Sequence, residues 1–211
     1  MLDVHPAHER ISGFRDFFLH LLTITIGLLI ALGLEGCVEW AHHRHLRIEA
    51  DANLHQELRD NQKALSNALT SSKGEREELL TIVKFLERRR NNQHYDGHEL
   101  TINFSIAGLR DASWHTASAT GALSLMEYQH VQHYSEAYLI QNQFTTVQSQ
   151  TLDGVLQLQS YFQYGFDPNK FPPAEAEAAL KDVQRTLAHL LAMEQIGASV
   201  NNAYEEALAA K

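Results

Sequence analysis

The sequence predicts an all-α membrane protein: an N-terminal transmembrane helix that continues into a long stalk helix, packed with several long helices as an antiparallel bundle or coiled coil. Three observations predict it. The stretch Phe17 to Leu34 carries no formal charge between Asp16 and Glu35. Proline falls only at positions 6, 168, 172 and 173, so Ala7 to Asp167 is free of the residue that most disrupts helices. The last segment repeats its apolar residues at alternating steps of three and four, the seam of a coiled coil. The expected organisation is a short polar tail over residues 1–15, a transmembrane helix over 16–38 and a helical extramembrane domain over 39–211.

Twelve residues of Phe17–Leu34 are Leu, Ile or Phe. Each favours insertion by about 0.3 to 0.6 kcal/mol near the bilayer centre, roughly 4 to 7 kcal/mol together. Two threonines, His20 and two glycines subtract from that without cancelling it. At 1.5 Å per residue the run is roughly 27 Å long, close to the hydrocarbon thickness. A cleavable secretory signal has a shorter apolar core and a small-residue cleavage site. The tetrapeptide Leu34-Glu35-Gly36-Cys37 resembles a bacterial lipoprotein signal, but Glu35 stands where a small neutral residue is expected, so Cys37 reads first as a plain thiol at the membrane border.

Within the span, His20, Thr23, Gly27, Ala31 and Glu35 follow at steps of three or four and share one stripe of the helix. Small and polar side chains let membrane helices approach closely, so this stripe is the expected contact face, with lipid around the rest. It points to a homo-oligomer or to other subunits of a membrane complex. Arginines flank both ends, Arg10 and Arg15 before the span and Arg44 and Arg47 after it, which leaves the positive-inside count near a tie. A short arginine-bearing tail ahead of a first hydrophobic segment favours a periplasmic domain.

Composition bounds the partners. Seventeen Lys and Arg stand against 26 Asp and Glu, a formal charge of −9 that argues against a nucleic-acid partner, since phosphate binding needs a basic surface. Cys37 is the only cysteine and excludes an internal disulfide.

Beyond the span, Val38, Leu46, Ala50, Leu54, Leu58, Leu65 and Ala68 continue an apolar stripe, while Glu49, Asp51, Glu57, Arg59 and Asp60 read as its solvated side. Ser71 to Gly74 is the first plausible break, followed by a helix over Glu75–Arg90; a helix running straight through is the alternative, since one glycine costs only about 1 kcal/mol. Asn91–Glu99 reads as a loop. Leu100, Ile102, Phe104 and Ile106 alternate with polar residues, and because one strand cannot form a sheet, an extended segment laid over the helices is expected. Asp111 or Ser113 is placed to cap a helix in which Trp114, Ala117, Gly121 and Leu125 share a face. Glu127 to about Tyr164 reads as a long helix through Val131, Tyr134, Tyr138, Val147, Val155 and Phe162, ended by Gly165–Pro173. Pro173 opens the last helix, with Glu175 and Glu177 complementing its dipole. Its seam runs through Leu180, Val183, Leu187, Leu190, Glu194, Gly197, Asn201, Tyr204 and Leu208.

Thirteen histidines require a test for metal sites. Glu-x-x-His occurs at Glu39/His42 and Glu127/His130, the half-motif of di-iron bundles, but no inward carboxylates complete the set. His94-x-Asp96-x-His98 and the pair His130/His133 read as surface histidines, and His42, His43 and His45 with Arg44 and Arg47 as a cationic collar for lipid headgroups. No nucleophile elbow, P-loop or dinucleotide fingerprint appears. The sequence therefore assigns no catalytic, cofactor-binding or metal-ligating set, and the expected work is non-enzymatic assembly, with a ligand-sensing bundle and a metal-dependent enzyme as alternatives.

Gly27-Leu28-Leu29-Ile30-Ala31-Leu32, Glu39-Trp40 and Glu57-Leu58-Arg59-Asp60-Asn61 resemble a group of uncharacterised bacterial single-pass membrane proteins. A segment similar to Ser113-Trp114 through Thr120-Gly121-Ala122-Leu123, followed by an aromatic helix start like Tyr128, belongs to the same likeness. The resemblance implies a bacterial membrane location and supplies no activity.

Overall fold

The computed structural model describes residues 13–97, 100–162 and 166–210. The fold is all-α, without a strand among the described residues. Among the described residues four helices form it: α1 (Phe14–Arg90), α2 (Ala112–Ala119), α3 (Tyr128–Gln159) and α4 (Pro173–Ala209), with 3-10 turns at Ala122–Leu125 and Pro168–Lys170. The chain divides into two units, Met1–Leu46 and Arg47–Lys211.

In the first unit every described residue from Gly13 to His45 is exposed. α1 is the one described helix long and apolar enough to cross a membrane. The Thr23 and Thr25 hydroxyls each donate to the carbonyl four residues back, at 2.8 Å, so neither leaves an unsatisfied polar group on the apolar surface.

In the second unit α1 passes unbroken through Ser71–Gly74. The physical reason is tertiary: Ser72 is fully buried with its hydroxyl 2.9 Å from Glu194 on α4, and packing at this point outweighs the propensity cost of exposed Gly74. α1 stops at Arg90, where Asn92 takes a left-handed φ of 56° and its amide closes on the Arg89 carbonyl at 2.9 Å. Three arginines in the last turn complement the dipole. One of them, Arg89, is buried and donates to the Phe171 and Gln93 carbonyls, fixing both loops at this end. Phe85 anchors an aromatic cluster there, its ring 5.0 to 6.1 Å from those of Tyr95, Phe162, Phe166 and Phe171.

Cross-links set the helix directions. Asp51, Glu57 and Asn61 of α1 bond Tyr134, Tyr138 and Gln141 of α3 in the same order, so α1 and α3 run parallel. Gln62, Arg76 and Arg90 bond Asn201, Glu194 and Glu177, so α4 runs antiparallel to α1. Parallel neighbours need a return connection. The extended segment predicted at Leu100–Ile106 supplies it, as an irregular strap from Leu100 to Asp111 whose backbone bonds to side chains of both helices. Asn103 and Ser105 amides donate to Glu78 and Glu75 at 2.9 and 2.7 Å. Gln148 clamps Ala107 from both sides, accepting from its amide at 2.8 Å and donating to its carbonyl at 3.1 Å. Asn61 does the same for Arg110, at 2.9 and 2.6 Å. Buried polar groups on α1 and α3 thus replace the missing ladder of a lone strand.

Two sequence expectations need correction here. Glu57 is buried, not solvated: its carboxylate accepts from the Tyr138 hydroxyl at 2.8 Å and from the Ser113 amide at 3.1 Å, so that Asp111 stands at the N-cap position of α2 as expected while Glu57 supplies the side-chain bond that Asp111 does not make. The shared face of Trp114, Ala117, Gly121 and Leu125 also fails, because α2 ends at Ala119 and Gly121 takes a φ of 76° that breaks the helix register.

Candidate functional site

Asp51 and His55 stand one turn apart on α1, and His130 and Tyr134 stand one turn apart on α3. Because the helices are parallel, the two pairs face each other. The potential ligand atoms of Asp51, His55 and His130 lie within 4.8 Å of one another. His130 Nε2 is 3.9 Å from Asp51 Oδ1, and the same carboxylate oxygen accepts the Tyr134 hydroxyl at 2.8 Å. The His130 ring stacks on Tyr134 with centroids 5.0 Å apart, and His55 meets both rings edge-on at about 6 Å.

Burial controls the chemistry. His55 Nε2 and His130 Nε2 are both buried without a hydrogen-bond partner. Desolvation lowers the His55 pKa; Asp51 opposes the shift, while His130 and Arg59 add to it. The imidazole therefore favours its neutral form, with a lone pair free to bind. Desolvation, then the bond to Asp51, raises Tyr134 well above the ordinary phenol range, so it stays a donor. A cavity of about 280 Å³ opens beside the group, lined by Arg47, Ile48, Asp51, Met126, Glu127 and His130. Two imidazoles and a carboxylate beside an open volume form a donor set able to take a borderline-soft cation.

No family model, curated protein or solved structure matches this chain.

The structure distributes the sequence-predicted residues unevenly. His20, Thr23, Gly27, Ala31 and Glu35 are all exposed, and a Cβ added at Gly27 would meet nothing within 4 Å. Along α4, Leu180, Val183, Leu190, Gly197 and Tyr204 are buried, whereas Leu187, Glu194, Asn201 and Leu208 are half-buried. The second row of the interior falls one residue earlier than predicted, on Ala179, Thr186, Met193, Val200 and Ala207. Thr186 and Tyr204 lie against α3, while Glu194 and Asn201 bond α1. α4 therefore wedges between two helices, and the seam works within the chain.

Among the histidine patterns, Asp96 is paired to Arg88 at 2.8 Å, and His98 lies outside the described residues. Glu39 and His42 are exposed. His130 belongs to the cluster, but with Asp51 and His55 as companions instead of His133. The sequence carried a trace of it in the two i,i+4 pairs, Asp51/His55 and His130/Tyr134; joining them required knowing that α1 and α3 are parallel.

Proposed function

We propose that this is a non-enzymatic, membrane-anchored helical protein that acts in assembly, as a self-associating scaffold or as an accessory subunit of a larger membrane complex. The observation that carries this reading is the uncovered state of Phe17–Leu34. Its residues are exposed throughout, a continuous apolar run, whereas the residues of the α4 seam are buried or half-buried by intrachain packing and the other exposed large apolar side chains of the second unit, such as Leu139 and Leu156, are scattered. Lipid solvates the apolar bulk of that segment. The stripe His20, Thr23, Gly27, Ala31 and Glu35 is the part fitted to another helix, because Gly27 and Ala31 let a backbone approach and Thr23 has its hydrogen bond already made. In this reading the span lies in a bacterial inner membrane and the domain on its periplasmic side.

The test is the oligomeric state of the full chain in liposomes, together with pull-down from native membranes. The reading expects a stable complex, with itself or with another membrane protein, weakened by Gly27→Leu combined with Ala31→Leu. A strictly monomeric protein that recovers no partner overturns it. A topology reporter fused at Lys211 checks the side of the membrane.

A ligand-sensing bundle is the second reading. The cavity beside Asp51 and His130 favours it, and ligand-induced thermal stabilisation of the full chain would separate it from the first.

A further inference from the structure

We propose that Asp51, His55 and His130 bind one divalent transition-metal ion of the zinc class, which ties the start of α3 to α1. The inference stands independently of the assembly reading.

The geometry has four parts. First, the three ligand atoms already converge within 4.8 Å. Nitrogen and oxygen ligands sit about 2.0 to 2.2 Å from zinc, so closing the set requires only small side-chain rotations on otherwise fixed helices. Second, the buried Nε2 atoms of His55 and His130 lack hydrogen-bond partners, an expensive arrangement for polar groups removed from water. A cation between the rings gives the imidazoles a compensating partner. Third, Asp51 is already held in place: the fully buried Tyr134 donates to its Oδ1 at 2.8 Å, the kind of outer hydrogen bond that fixes a metal-ligating carboxylate. Fourth, the adjoining cavity leaves room for a fourth ligand, either water or the Glu127 carboxylate three residues before His130.

The donor set decides the class of ion. Magnesium and calcium demand oxygen cages, whereas two imidazoles and one carboxylate suit zinc, cobalt or nickel. The surrounding charge permits a cation without attracting it by field alone, since Arg47 and Arg59 stand against Asp51 and Glu127. Affinity has to come from direct ligation, which makes the site selective by chemistry.

The experiment uses the full chain in detergent, purified without a polyhistidine tag, stripped with a chelator and titrated with zinc or cobalt. One equivalent per chain is expected, with tetrahedral d–d absorption for cobalt. A hundredfold excess of zinc over Kd should raise Tm by roughly 5 to 10 °C. His130→Gln or His55→Gln should remove the cobalt bands. Tyr134→Phe should keep them while weakening affinity roughly 10- to 100-fold, a separation that a purely structural tyrosine would not produce. Substituting His42, His43 and His45 together should change neither stoichiometry nor spectrum. Absence of stoichiometric binding, or binding lost in the collar variant and retained in His130→Gln, overturns the proposal. Should a histidine variant fail to fold by circular dichroism, the wild-type spectrum and the collar variant still decide.

Discussion

The Tyr204 hydroxyl on α4 donates to Gln141 Oε1 on α3 across 2.6 Å, and both side chains are buried. Gln141 also accepts from Asn61 of α1 at 3.1 Å and donates to the Arg110 carbonyl of the strap at 3.0 Å. One amide therefore joins α1, the strap, α3 and α4. Tyr204→Phe removes a single donor and leaves Gln141 partnered, so it should cost about 1 to 2 kcal/mol. Gln141→Ala strips partners from Tyr204 and Asn61 at once and should cost roughly 2 to 4 kcal/mol. Denaturant midpoints at unchanged m-value check both, and equal losses would contradict the shared-amide account.

The strap depends on side chains in place of a sheet. Gln148→Ala leaves the buried Ala107 amide and carbonyl without their clamp, which should destabilise by roughly 2 to 3 kcal/mol. The effect should be local in hydrogen exchange: amides of residues 103–110 lose protection while the middle of α4 keeps it. Uniform loss across all helices would mean that the strap is not a separable element.

Helix α3 crosses α4 closely at Gly154, where an added Cβ would collide with Thr186. Gly154→Ala alone should destabilise by about 1 kcal/mol, the clash exceeding the gain in helix propensity. In a Thr186→Ala background the colliding Oγ1 and the Cγ2 are gone and only the residue 186 Cβ stays, at 3.2 Å, so the same change should instead stabilise by up to about 1 kcal/mol through helix propensity. A double-mutant cycle on thermal or chemical unfolding reads the sign reversal.

Glu75 is buried, and only one of its oxygens is engaged, by the Ser105 amide at 2.7 Å. Desolvation raises its pKa above the ordinary glutamate range; the Ser105 contacts oppose the shift, and Glu78 and Glu194 add to it. The folded protein then holds a proton that the unfolded chain releases at lower pH. This group's contribution makes stability fall as pH rises from the unfolded glutamate pKa through the folded one, and its full cost stands above both. Glu75→Gln keeps an acceptor for Ser105 and removes the charge. It should equal or exceed the wild type in Tm at pH 7, with the difference shrinking as pH approaches about 4.3. A pH-independent loss in the variant would contradict this.

Patterning made the helices legible and left their neighbours hidden. The absence of proline over a long interval correctly yields long helices, and Pro173 marks the start of α4 to the residue. The interior of α4 was legible only in part, because a helix wedged between two others buries a face wider than one seam. Its second row then lies on small residues such as Ala179 and Ala207, which carry little hydropathy signal. Glu57 read as solvated because a carboxylate signals exposure unless its donors are known, and those donors, Ser113 and Tyr138, lie 56 and 81 residues away. The cluster at Asp51 was illegible for the same reason: Tyr134 is 83 residues distant, and only the parallel order of α1 and α3 brings them together. The apolar stretch of α1, long enough to cross a membrane, was legible because hydropathy depends on composition, which one stretch of sequence carries entire.

The most direct test of the account is crosslinking and mass spectrometry in native membranes, with photoreactive groups placed at Thr23, Gly27 and Ala31. Assembly through the span predicts crosslinks from these positions to a second copy or to one recurrent membrane protein, and few from positions on the opposite face such as Leu22 or Leu29. Crosslinks to lipid alone, equal around the helix, with the chain recovered only as a monomer, would contradict it.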